Sequence, residues 1–65
     1  MGHQRLLRLT EVKQQTGLSR STIYRLISCG TFPQRVLLGP RAVAWIESEI
    51  DSWIVSQIEN SRRTA

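Results

Sequence analysis

The chain opens on a short apolar run, Leu6-Leu7-Arg8-Leu9, suited to an extended strand. Thr10 follows as a helix N-cap, with Glu11 where the positive end of a helix favours an acid. Leu9, Val12 and Thr16 mark one side of a helix running to Thr16. Gly17 then suits the left-handed conformation that ends a helix. Ser19 is a second N-cap, and Leu18 and Ile23 on either side of it have the spacing of a hydrophobic staple. Ile23, Leu26 and Ile27 follow i, i+3, i+4 and define a buried face, and Gly30 supplies the stop. Two helices joined only by Gly17-Leu18-Ser19 cannot lie as a long antiparallel pair. A sharp glycine-containing turn of this length is the sign of a helix-turn-helix.

After Thr31-Phe32-Pro33 the period changes from helical to alternating. Val36 and Leu38 are expected on one face, with Val43 and Trp45 beside them after the Gly39-Pro40-Arg41-Ala42 connection, which reads as a β-hairpin with one face on the core. Leu37 falls on the opposite face, as an exposed hydrophobe, a second packing contact or a partner surface. Ser48 is the expected cap of a last helix, with Asp51 approximating a capping-box partner. Ile50, Trp53, Ile54 and Ile58 form its apolar stripe, and Val55 lies off it. The predicted fold is mainly α with a small β-hairpin, a winged helix-turn-helix. It forms a single domain over residues 1–65, with an ordered core from about residue 6 to 59 and a frayed tail from Asn60 to Ala65.

Placing the second helix at 100° per residue shows what it offers to a partner. Ser21, Tyr24, Arg25 and Ser28 cluster opposite the buried side, and Arg20 and Thr22 sit in the first turn. Arg can hold guanine O6 and N7 bidentately, Ser and Thr can meet bases or phosphates, and the Tyr24 hydroxyl can reach a phosphate. Taken alone, Ser19-x-x-Thr22 is only a cap, and Arg20 and Arg25 only a solvated face. The preceding turn and the following basic hairpin favour a recognition helix instead. Arg35 before the hairpin and Arg41 at its tip are candidate phosphate contacts, and Thr10 and Lys13 on the first helix are further candidate DNA-binding residues.

Charge strengthens that reading. The chain has a net charge of +4, but residues 1–41 carry +6 and residues 42–65 carry −2. A basic front and an acidic back attract a polyanion from one side. At 65 residues, the chain buries only about 60% of its unfolded surface, which favours a binding module over an enzyme. One cysteine and one histidine exclude an intramolecular disulfide and a structural zinc site. Cys29 is expected as a small semi-buried hydrophobe, His3 carries no inference, and Trp45 and Trp53 belong to the core by period. No catalytic constellation, metal site or cofactor site is expected, and no apolar run approaches a membrane span.

Arg8-Leu9-x-Glu11-Val12, Thr16-Gly17-Leu18-Ser19-Arg20-Ser21-Thr22-Ile23-Tyr24-Arg25, Gly30-x-Phe32-Pro33, Leu38-Gly39-Pro40-Arg41-Ala42-Val43-x-Trp45 and Ser48-Glu49-Ile50-Asp51-x-Trp53 closely resemble the AlpA family of phage-associated transcriptional regulators. The likeness covers roughly residues 6 to 54. It implies a DNA-binding domain related to the MerR-type winged helix and to phage excisionases, in a bacterial regulator of integrase or excision genes. It also implies that Ser19–Arg25 is the recognition helix and that Arg41 belongs to the wing. Where this chain has Leu37 the family commonly has Lys or Arg, which implies a wing with fewer phosphate contacts.

The expected function is a sequence-specific DNA-binding regulator of prophage or integrative-element genes, cytoplasmic and nucleoid-associated. Its expected partner is double-stranded DNA, bound at tandem or inverted sites as a monomer or weak homodimer, with integrase or RNA polymerase as candidate protein partners. Two alternatives share the sequence. One is an excisionase-type architectural factor that bends attachment-site DNA and directs an integrase; the other is a protein-interaction module with an acidic partner.

Overall fold

The computed structural model describes residues 4–63; His3, Thr64 and Ala65 lie outside the described residues. Six elements follow one another: β1 (Leu6–Leu7), α1 (Leu9–Thr16), α2 (Arg20–Ser28), β2 (Val36–Gly39), β3 (Ala42–Ile46) and α3 (Glu47–Arg63). Three helices and an antiparallel hairpin make the winged helix-turn-helix that the residue pattern predicts.

The sheet has the order β1-β3-β2, with both pairings antiparallel. Leu6 lies opposite Ile46 and Leu7 opposite Trp45, so the apolar lead-in is a true strand, paired with β3. Across the hairpin, Val36 lies opposite Ala44 and Leu37 opposite Val43. Residues directly opposite share a face, and alternation puts Trp45 with Val43. The expected grouping of Val36 with Val43 and Trp45 is therefore out of phase by one residue. Leu37 shares that face, yet it is 70% exposed because it lies toward the hairpin tip, beyond the packed centre. Leu38 is exposed as well, next to an irregularity in the ladder between Leu37 and Gly39. As the central strand, β3 is buried on both faces, and its neighbours Ala44 and Trp45 are both fully covered.

The core unites Leu7, Val12, Ile23, Ile27, Phe32, Trp45 and Ile50, drawn from β1, the three helices, the segment after α2 and β3, but not from β2. Each such large apolar side chain contributes about 1.5–3 kcal/mol on burial. The Trp45 Nε1–H is buried without a hydrogen-bond partner among the described residues.

Three helix ends differ from expectation. The N-cap of α1 is Arg8, not Thr10, because the Glu11 carboxylate reaches back to accept the Arg8 backbone N–H at 3.1 Å. That carboxylate closes the first turn and leaves Thr10 exposed inside the helix. Helix α3 begins at Glu47, directly after β3, so Ser48 lies within its first turn instead of capping it. The Glu47 N–H donates to the Arg5 carbonyl at 2.8 Å, continuing the β1–β3 ladder into the helix. At its other end α3 runs on to Arg63, past the expected fraying point at Asn60. Only the first part of its apolar stripe is covered: Ile50 is buried, Trp53 and Ile54 are half-buried, and Ile58 is exposed.

Arg5 joins the two helix starts through its side chain too. Its guanidinium lies 3.4 Å from the Glu11 carboxylate and 3.7 Å from that of Glu47. Both acids sit in the first turn of their helices, where the helix dipole favours them.

Candidate nucleic-acid interface

The turn between α1 and α2 forms as its residues require. Gly17 has φ 74°, and its N–H donates to the Lys13 carbonyl at 2.8 Å. The Thr16 hydroxyl donates to the Val12 carbonyl at 2.7 Å and accepts the Leu18 N–H at 3.3 Å. Leu18 is half-buried and packs against the core cluster to which Ile23 belongs. The Ser19 side chain caps α2 by accepting the Thr22 N–H at 3.3 Å. The same hydroxyl donates to Thr22 Oγ1 at 2.9 Å and lies 3.4 Å from that of Ser21. Three hydroxyls thus gather at the N-terminus of α2.

The far end of α2 is closed by a Schellman pair. The Gly30 N–H donates to the Ile27 carbonyl and the Thr31 N–H to the Leu26 carbonyl, each at 3.0 Å, with Gly30 at φ 76°. Cys29 precedes that glycine and is exposed, not semi-buried, because the helix end faces solvent there. The Trp53 indole then donates to the Thr31 carbonyl at 2.7 Å, and its ring meets Phe32 edge-on at 4.8 Å. These contacts tie the end of α2 to α3 and set the angle at which α2 leaves the domain.

Tyr24 is the centre of the basic surface. Its ring is half-buried and meets Trp45 edge-on, 6.3 Å between centroids. The guanidinium of Arg20 lies 5.6 Å from its centroid and that of Arg35 lies 5.7 Å away. One aromatic ring therefore brings an arginine of α2 together with the arginine that leads into the hairpin. Cation–π attraction at partly exposed sites is worth about 0.5–1 kcal/mol per pair, enough to bias side-chain position. Among the described residues, neither arginine has a carboxylate within ion-pairing distance, so both charges stay uncompensated.

The remaining candidates are placed but not brought into that cluster by any contact. Ser21 and Arg25 are exposed on α2, and Thr22 is half-buried. Thr10 and Lys13 are exposed on α1, and Arg41 is exposed in the two-residue tip between β2 and β3. The structure adds Arg8 to the exposed cations, at the N-cap of α1. Its signal was a cation just before a helix, hidden by placing the cap at Thr10. Arg5 is committed to Glu11 and Glu47.

Elsewhere, an open groove of about 700 Å³ runs between the Gly30–Gln34 segment and α3, lined by Phe32, Trp53, Ser52 and Ser56 among others. Among the described residues no three His, Cys, Asp or Glu side chains cluster as metal ligands. No described helix is long and apolar enough to cross a membrane.

The chain is 48% identical over 60 residues to an uncharacterized protein, ORF88, of Enterobacteria phage P4, covering 92% of this chain and 68% of that protein. It is also 45% identical over 56 residues to the DNA-binding transcriptional activator AlpA of Escherichia coli strain K12, covering 77% of this chain and 80% of the relative. The family model described as prophage CP4-57 regulatory protein (AlpA) matches residues 5–58, a span that takes in both helices of the turn, the whole hairpin and the packed part of α3. The chain belongs to the AlpA family of prophage regulatory proteins.

Proposed function

We propose that this protein is a sequence-specific DNA-binding transcriptional regulator of prophage or integrative-element genes. The observation that carries the reading is that Arg20 and Arg35, both without acidic partners among the described residues, lie against the one Tyr24 ring. A guanidinium held in place before binding loses less freedom on meeting a guanine edge or a phosphate. Arg20, Ser21 and Arg25 are the base-reading candidates. The N–H groups opening α2 attract a phosphate, with Ser19 fixing that helix end and Thr22 beside it. Thr10 and Lys13 on α1, Arg35, and Arg41 on the wing supply further backbone contacts. Tyr24 acts through its ring, as the platform that sets both arginines. The name of the Escherichia coli relative, a DNA-binding transcriptional activator, supports the reading as a DNA-binding regulator.

Acting on DNA in a bacterial cell places the protein in the cytoplasm at the nucleoid, with RNA polymerase as the machinery it would influence. A footprint on DNA flanking its own gene and any neighbouring integrase gene tests the proposal. A discrete protected site is expected, and uniform salt-dependent coating of all DNA would overturn it.

One observation favours an excisionase-type role of the same surface. Leu37, 70% exposed on the wing, is an apolar side chain beside a basic tip, the combination by which architectural proteins unstack and bend DNA. Bending of the footprinted fragment that is lost in Leu37→Ser would select this role, with an integrase as the protein partner.

A further inference from the structure

Helix α3 is longer than the domain needs. No residue of it beyond Ile54 is buried or half-buried among the described residues, yet it continues to Arg63. On this projecting part Val55 is 52% exposed and Ile58 is 45% exposed. They belong to an exposed stripe, Asp51, Val55, Ile58 and Arg62, spaced four, three and four residues apart. That is the heptad spacing by which one helix lays a continuous seam along another. At 100° per residue the stripe stays to one side of the face that Ile50 and Trp53 turn to the core.

We propose that this stripe is a self-association surface, on which α3 of a second copy of the chain packs antiparallel about a two-fold axis. The charges choose both occupant and direction. The spacing reads the same from either end, so a second copy laid head to tail sets Asp51 against Arg62, Val55 against Ile58, Ile58 against Val55 and Arg62 against Asp51. Two apolar contacts lie at the centre and two opposite-charge pairs enclose them. A parallel copy would set Asp51 against Asp51 and Arg62 against Arg62. Among the described residues neither Asp51 nor Arg62 has an ion-pair partner within its own chain. A surface complementary to itself under reversal is what a two-fold, isologous contact requires.

The contact is small, so association is weak and falls with salt. Its two-fold symmetry turns a pair of these domains toward inverted half-sites and not toward tandem ones. Only that last consequence rests on the DNA-binding proposal; the association does not.

The test is sedimentation equilibrium on the full chain without DNA, carried to the highest soluble concentration at low salt. Circular dichroism shows that each exposed-site variant is folded. The expected result is a reversible monomer–dimer equilibrium. Asp51→Arg alone, or Arg62→Asp alone, turns both attractive pairs repulsive and should weaken the dimer about tenfold. The double variant carrying both changes should restore it, whereas Val55→Glu should abolish it. A chain that stays monomeric throughout, or a dimer indifferent to the single reversals, overturns the proposal and leaves this face to solvent or to a different protein.

Discussion

Tyr24 and Trp45 meet edge to face at 6.3 Å, which seats the middle of α2 directly on the central strand. The same phenol ring has the guanidinium groups of Arg20 and Arg35 within 5.6 and 5.7 Å of its centroid. The ring therefore links core packing to the placement of two uncompensated charges. Tyr24→Phe keeps the ring and should leave stability within about 0.5 kcal/mol, with DNA affinity little changed. Tyr24→Ala should lose about 2 kcal/mol, less than a fully buried aromatic would. Urea denaturation and a binding titration on the two variants check this. A large affinity loss in Tyr24→Phe would assign the work to the hydroxyl.

Arg20→Ala should reduce discrimination between the true site and a single-base variant by about 1–3 kcal/mol, as expected when a bidentate hold on a base is removed. Competition binding with the two duplexes measures it. An equal loss on every sequence would make Arg20 a phosphate ligand.

Arg41→Ala, at the exposed hairpin tip, should weaken binding alike on all sequences. The slope of log K against log salt should fall by about one unit, since Arg41 would neutralise a single phosphate. An unchanged slope would remove Arg41 from the interface.

Gly17→Ala meets open space but must hold a left-handed backbone at φ 74°, so strain alone sets its effect. The expected loss is about 1–2 kcal/mol. Ser19→Ala, one cap bond poorer at the other end of the same turn, should lose about 1 kcal/mol. In a domain of this size each kcal/mol lowers Tm by roughly 4–8 °C, which calorimetry resolves.

Trp53→Phe keeps an aromatic ring beside Phe32 and removes the donor to Thr31. A loss of about 0.5–1.5 kcal/mol is expected, seen as a lower urea midpoint at unchanged slope.

The helix-turn-helix was readable because its determinants are local. Ser19, Gly17 and Gly30 act within a turn of where they stand, and the spacing of Leu18 and Ile23 needs no distant partner. What escaped depends on residues far away in sequence or on three-dimensional boundaries. Glu47 opens α3 because its N–H finds the carbonyl of Arg5. The hairpin phase was hidden because β3 is buried on both faces, which erases the alternation at Ala44 and Trp45. The period of α3 continues through Ile58, but a sequence period does not show where the core beneath it ends. For the candidate site, the types of residue on α2 were legible. The joint hold of Tyr24 on Arg20 and Arg35 was not, since it joins α2 to a segment beyond it.

The pairing of β1 with β3 bears on how the protein comes into being. β1 leaves the ribosome well before β3, and the strand that both outer ones need is made after α1 and α2. Neither the sheet nor the Leu7–Trp45 centre of the core can close until Ile46 is free of the exit tunnel. Local contacts can nucleate the two early helices, but their mutual angle is set only when the late strand arrives. A prematurely terminated chain would thus carry every residue of α2 and still lack the surface that α2 presents.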